Sequence, residues 1–317
     1  MKRPHVLLVG NRRMATMGLL VLSCGAALGQ PAPAGSPPFQ ARVEDLARAL
    51  QSDPRLKGLS EQQRIDRVEF VVGNTLFVVL HEMGHVLIAE MKLPVLGREE
   101  DAADTFAALA MLKVGTSFSQ RVLAAAAKGW FLSDRRDQQT GEKPLYYDEH
   151  NLSQQRAYQI VCFMVGSDPA KFKSLVDETK MPEARQQRCK EEDYPKASWA
   201  WDTVLEPHRR ASGQPEPKID VVYGDAEGDF EIFARSFRQI EMLEGVAQRA
   251  GADYAWPVPI NMEMQSCGRP DAVWLDKTRT LRVCYDLAFD FAQLYRAYVP
   301  DAPASVSANQ KRKRKSK

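Results

Sequence analysis

Two histidines four residues apart, with a glutamate directly after the first, stand at His81-Glu82-Met83-Gly84-His85. On an α-helix, residues four apart share a face, so His81 and His85 present two imidazoles to one Zn²⁺ ion. Glu82, three residues before His85, reaches the same side without having to ligate the metal. A carboxylate there takes a proton from water that zinc has acidified, which makes Glu82 the expected general base of a hydrolysis. Val71, Val72, Leu76, Phe77, Val79, Leu80, Val86 and Leu87 surround the motif with apolar side chains. Two histidines and a glutamate inside such a helix cost heavily unless they are bonded or coordinated. Gly84 in mid-helix costs about 1 kcal/mol against alanine, which predicts close approach of another backbone or a ligand.

A catalytic zinc usually takes a third protein ligand and keeps one position open. Beyond residue 29 the only other histidines are His150 and His208, whereas the acidic cluster Glu99-Glu100-Asp101 is much closer. Glu100 and Asp104 are four apart on the next expected helix, and Ala103 and Ala107 on much the same side let that helix come near. With Glu100 as ligand, Asp104 is left to orient His81 or His85 through its second ring nitrogen; Glu99 is the competing ligand. Tyr146, Tyr147 and His150 are candidate donors to a developing oxyanion, His150 being preferred. Arg156 is expected to pair with Asp148 or Glu149.

The elements that position these groups read as mainly helical. Helical patterns run over Val43–Gln51, Glu61–Met91, Glu99–Lys113, Gln120–Leu132, Leu152–Gly166, Pro169–Thr179, Phe230–Arg249 and Tyr285–Tyr298. Lys92-Leu93-Pro94 and Gly97 break the long second pattern. Ile219–Val222 reads as a strand, and Ala272–Leu275 with Thr280–Cys284 as two strands around a turn. A Pro- and Gly-containing stretch at 213–218 is a candidate subdomain boundary. The expected fold class is α+β, predominantly α-helical, with a small β-hairpin or sheet.

Export follows from the N-terminus. Lys2, Arg3, Arg12 and Arg13 precede an uncharged apolar run, Met14–Leu28, and Ala27-Leu28-Gly29 ends it in small residues. Residues 1–29 therefore read as a signal peptide cleaved near Gly29-Gln30, with lipidation at Cys24 as the weaker alternative. The run is shorter than the roughly 20 residues a membrane span needs, so no transmembrane span is expected after cleavage. A periplasmic or secreted protein results, with residues 30–40 as a linker. The chain has 43 basic and 41 acidic residues. Without the four basic residues of the signal peptide, 39 face 41. Without the six of Lys311–Lys317 as well, 33 face 41, a body of net charge −8. An acidic body argues against a nucleic-acid partner. Residues 302–317 read as a disordered basic tail, with weak contact to an anionic envelope surface as its functional reading. Removal of Cys24 leaves four cysteines, an even number in an exported chain. Cys162–Cys189 and Cys267–Cys284 are the local pairings.

Several short blocks then agree in order. Gly73-Asn74-Thr75-Leu76-Phe77 runs into His81–His85, and Leu93–Asp104 follows. Asp148-Glu149-His150, Gln155-Arg156, Ile160-Val161-Cys162, Gly166–Pro169, Cys189 and Trp201–His208 continue the series. Over roughly residues 60 to 300 the chain resembles a bacterial metallopeptidase-like family still catalogued as a domain of unknown function. The resemblance implies a zinc peptidase-like, zincin-like fold and does not itself supply a substrate; with the motif, the expectation is one Zn²⁺ ion and a polypeptide substrate, within a single domain over 41–301. Glu100 to Asp104 also resembles the ExxxD element of gluzincins, in which the Glu binds zinc and the Asp supports a histidine; this favours Glu100 over Glu99. The 271–284 hairpin is similar to the one that precedes HExxH in many zincins and forms the sheet edge along which substrate lies. Here it follows the motif, so the expectation is a rearranged order in which it still borders the zinc cleft. The contrasting reading is a non-catalytic exported zinc-binding protein that keeps a zincin-like scaffold for stability or for binding a partner.

Overall fold

The computed structural model describes residues 38–299. The expected signal peptide with Cys24 and the basic tail lie outside the described residues, as does the expected linker up to residue 37. The linker's last two residues are helical, because α1 runs Phe39–Ala49.

The helix that carries the motif is α2, Glu61–Met91, and it forms the axis of the fold. Its start is a capping box: the Ser60 Oγ accepts from the Gln63 amide (3.2 Å) and the Ser60 amide donates to Gln63 Oε1 (2.8 Å). It ends where Lys92 adopts a left-handed conformation, φ 53°. Among the described residues α2 is the one helix long and apolar enough to cross a membrane, yet 83% of its most apolar window is buried inside the protein. Packed around it are α3 (Glu99–Val114), α4 (Ser117–Thr140) and α5 (Ser153–Ser167). The short helices α6 (Lys173–Thr179) and α7 (Glu183–Arg188) follow. A π-helical turn at Cys189–Asp193 then leads into α8 (Tyr194–Leu205).

Past the 213–218 connection the chain enters a four-stranded mixed sheet with its own helices. The order is β1 (Ile219–Tyr223), β2 (Ile260–Gln265), β4 (Thr280–Cys284), β3 (Ala272–Leu275), with β1, β2 and β4 parallel and β3 antiparallel to β4. Met262 and Met264 of β2 stand beside Leu281 and Val283 of β4, and all four are buried. The helices α9 (Glu231–Gln239) and α10 (Met242–Asp253) lie between β1 and β2, and α11 (Tyr285–Tyr298) closes the chain. Residues from both sides of the 213–218 connection enter one continuous apolar cluster, from Val43 to Tyr295. The protein is thus predominantly helical α+β with a small sheet.

Two readings of the sequence need correction here. The expected helix over Phe230–Arg249 is two helices, because Glu241 adopts φ 53° between them. The break is fastened from both sides: Arg42 Nε donates to the Ile240 carbonyl (2.8 Å), and the Tyr223 hydroxyl accepts from the Leu243 amide (2.9 Å). The sequence reading assigns no element to the stretches that form α7 and α8, and none to β2. The signal for β2 is the alternation Ile260, Met262, Met264, muted by Pro257, Pro259 and the weak strand preference of methionine.

Both cysteine pairs form. Cys162 on α5 bonds Cys189 in the π-turn, and Cys267 after β2 bonds Cys284 at the end of β4. Such bonds belong to oxidising compartments. Each closes a short loop, so replacing either pair by serine should cost roughly 3 kcal/mol in denaturant unfolding. A loss below about 0.5 kcal/mol for both would contradict this.

Candidate metal centre

The site is built where α2 and α3 cross. A Cβ on Gly84 would lie 2.9 Å from the Ala103 Cα, so only glycine admits the neighbouring backbone at that spacing. This is the close approach that the mid-helix glycine predicts. With the helices this near, Glu100 and Asp104, one turn apart on either side of Ala103, face the two imidazoles.

The distances are short throughout. His81 Nε2 and His85 Nε2 lie 3.2 Å apart, and Glu100 Oε2 is 3.1 Å from the first and 3.3 Å from the second. In a tetrahedral zinc site with bonds of about 2.0–2.1 Å, neighbouring donors stand about 3.3 Å apart. The three donors therefore fit the face of such a tetrahedron, and their chemistry suits Zn²⁺. His150 Nε2 lies 2.8 Å from the same Glu100 oxygen, and His81, Glu100 and His150 form a group able to hold a metal ion.

Behind this first layer the other ring nitrogens are engaged. Asp104 Oδ1 is 2.7 Å from His81 Nδ1, and Glu99 Oε1 is 2.8 Å from His85 Nδ1. Glu100 thus meets the Nε2 atoms while Glu99 meets an Nδ1. Arg156 on α5 grips Asp104 with two hydrogen bonds, Nε to Oδ2 (2.7 Å) and Nη2 to Oδ1 (2.6 Å). Its guanidinium lies 3.7 Å from the centroid of the Trp130 ring. This corrects the expected pairing of Arg156 with Asp148 or Glu149. Arg156 is drawn inward because the buried Asp104 carboxylate needs a cation more than the exposed loop acids do. No spacing signal links residues 52 apart, so sequence reasoning missed both Arg156 and Trp130 as members of the site.

The loop before α5 is latched to the start of α3. Arg98 donates to Asn151 Oδ1 (2.7 Å) and to the Asp148 carbonyl (2.6 Å), and Asn151 donates to Asp101. That latch brings His150 over Glu100 with its side chain still 43% exposed. Tyr146 and Tyr147, the other expected oxyanion donors, are exposed, as is Leu96 on the facing loop.

Electrostatics follow from burial and proximity. Burial opposes charge on His81, but its hydrogen bonds to Asp104 and Glu100 prevail and raise its pKa. For His85, burial is likewise outweighed by Glu100 and Glu99, which raise it to about 9. Burial would raise Asp104, yet Arg156 and His81 hold it at about 2. Glu100 lies far below the ordinary carboxylate range despite its burial, because three imidazoles surround it. Burial pushes Glu82 up, and the nearby histidines oppose this only in part.

A mainly helical α+β fold thus brings the two histidines of one motif against carboxylates of the next helix, a grouping able to hold a metal ion. The chain belongs to the family described as "Putative metallopeptidase", whose sequence model matches residues 46–205, half of the 317-residue chain. No curated protein and no solved structure gives a match.

An imidazole that binds a metal must be neutral, whereas the carboxylates around His85 raise its pKa to about 9. Metal uptake should therefore release protons and tighten with pH until the histidine titrates, by roughly tenfold per pH unit for each proton displaced. Calorimetry in buffers of different ionisation enthalpy measures the release. An affinity that stays flat between pH 6 and 9 would contradict the assignment.

Proposed function

We propose that this protein is an exported, zinc-dependent metallopeptidase. His81, His85 and Glu100 are the metal ligands, Glu82 is the general base and His150 the oxyanion donor. The observation that carries the proposal is the convergence of His81 Nε2, His85 Nε2 and Glu100 Oε2 at 3.1–3.3 Å, with Glu82 on the same helix.

When bound there, Zn²⁺ supplies Lewis acidity that makes water a nucleophile near neutral pH and polarises the scissile carbonyl. The remaining work falls to the chain. Glu82 accepts the proton of the attacking water and returns it to the leaving amine; its burial, which raises its pKa, suits a base operating near neutrality. Asp104 accepts from His81 Nδ1 and so fixes the tautomer that presents Nε2 to the metal. Arg156 keeps Asp104 ionised for that task. His150, partly exposed on a latched loop, donates to the oxygen on which negative charge develops.

One feature supports a polypeptide substrate. Leu96, Tyr146 and Tyr147 are exposed apolar surfaces on the two loops that flank the centre. The 272–284 hairpin packs on α2, but its Arg279 Nε meets Glu90 Oε1 (3.3 Å), which points about 140–180° around the helix from His85 and His81. That contact lies on the opposite face of α2, so it gives no support to the expectation that the hairpin borders the cleft. The signal peptide at 1–29 brings the enzyme to the periplasm or the exterior, where its basic tail touches anionic envelope surface.

Glu82→Gln should retain zinc and the wild-type melting temperature but lose about 10²–10⁴-fold in turnover of an unstructured protein. Equal turnover in the variant would remove the mechanism.

One observation favours the alternative of a non-catalytic zinc-binding scaffold. The 2.8 Å contact of His150 Nε2 with Glu100 Oε2 would let His150 close the coordination with a fourth protein donor, as structural sites do. His150→Ala separates the two. A peptidase keeps its zinc and loses about 10²–10³-fold in turnover, whereas a scaffold loses metal and thermal stability together.

A further inference from the structure

The reverse side of α2 borders a cavity of ≈ 470 Å³, within the roughly 300–1,000 Å³ typical of small-molecule sites. Leu76, Leu80 and Met83 of α2 face it, together with Phe106 of α3, Trp201 of α8 and Val246 of α10. At 3.6 residues per turn these α2 side chains point roughly 150° away from His81 and His85, so the cavity is separate from the metal centre. Leu76 and Leu80 are only partly buried, although Thr75, Phe77, Val79 and His81 beside them are buried.

Three properties define what the cavity takes. Its walls are mostly helical, with main-chain groups mutually satisfied, and the extended residues Arg209 and Tyr254 already pair with each other, so little backbone is offered to a peptide. The occupant needs few hydrogen-bonding groups along its length. Four charged residues line the cavity, and three of them are cationic: Lys113, Arg209 and Arg249 against Asp253. Lys113 and Arg209 both pair with Asp202, and Arg249 pairs with Asp253, yet all three bases remain partly exposed. Three bases against these two acids leave an excess positive charge, which favours an anionic head. Gly245, which also lines the cavity, lies in the interior of α10, where glycine costs about 1 kcal/mol. Unlike Gly84, it has no packing reason, since a Cβ there would meet no atom within 4 Å.

We propose that this cavity binds a long-chain carboxylate of the fatty-acid type, with the alkyl chain between α2, α3, α8 and α10 and the head at Lys113, Arg209 and Arg249. The assignment stands on the cavity alone and does not depend on peptidase activity.

Delipidated full-chain protein is titrated with cis-parinaric acid, a fluorescent long-chain carboxylate, and the probe is then displaced with palmitate or with the neutral hexadecanol. Saturable binding is expected, displaced by palmitate far better than by hexadecanol. Gly245→Trp narrows the cavity from α10, in a helix that tolerates a side chain there, and Ala110→Leu narrows it from α3. Each should weaken binding about tenfold or more at an unchanged melting temperature, and Arg249→Glu should weaken it several-fold. Absence of saturable binding to the wild type would overturn the proposal. So would unchanged affinity in the folded narrowing variants, or equal displacement by hexadecanol.

Discussion

The contact between Gly84 and Ala103 is the constraint on which the centre depends. Two helices of ordinary side chains pack with axes about 8–10 Å apart, too far for short carboxylate side chains of one to reach imidazoles of the other at bonding distance. Removing the side chain at Gly84 and limiting it to a methyl at Ala103 brings the α3 backbone within contact of α2. Asp104, with the shorter reach, then meets the deeper nitrogen of His81, and Glu100, with one more methylene, meets the outer ones. The division of labour between the two acids follows from side-chain length and their one-turn spacing.

The charge balance of the site is arranged in layers. Each imidazole has a carboxylate at its Nδ1, and the more deeply buried of these, Asp104, has a guanidinium behind it. A buried carboxylate facing only a neutral imidazole would take up a proton and become a donor. With Arg156 fixed between Asp104 and the face of Trp130, that carboxylate stays an acceptor. The arrangement extends the site across α2, α3, α4 and α5, so four helices must be in place before one histidine is properly oriented.

What could be read from the sequence was what is local along the chain. The bounds of α2 follow from its long apolar helical pattern and the Lys92–Pro94 break, and β3 and β4 follow from alternation around a turn; all three match the structure. The face shared by His81, Glu82 and His85 is likewise a property of helical periodicity. The Glu100–Asp104 pair could be placed because it lies within twenty residues of the motif and keeps its own helical spacing. What escaped was set by tertiary contact. The break at Glu241 depends on Arg42 and Tyr223 from distant elements. Methionines concealed β2, since they suit a helix as well as a buried strand. Arg156 could not be assigned while its nearest acids along the chain competed with an aspartate that only folding brings to it.

The length of α2 carries a consequence of a different kind. Its cap at Ser60, its crossing with α3 and the motif are all borne on one uninterrupted rod. One residue inserted between the cap and His81 would turn everything beyond it by about 100° relative to everything before it. The imidazoles would swing away from α3 and Gly84 would leave its crossing point in the same stroke. Reading-frame-preserving insertions and deletions are therefore far more damaging in this stretch than most single substitutions. Among diverging copies of the gene, the distance from cap to motif should be counted in whole residues and held constant, while the 213–218 connection is free to change length.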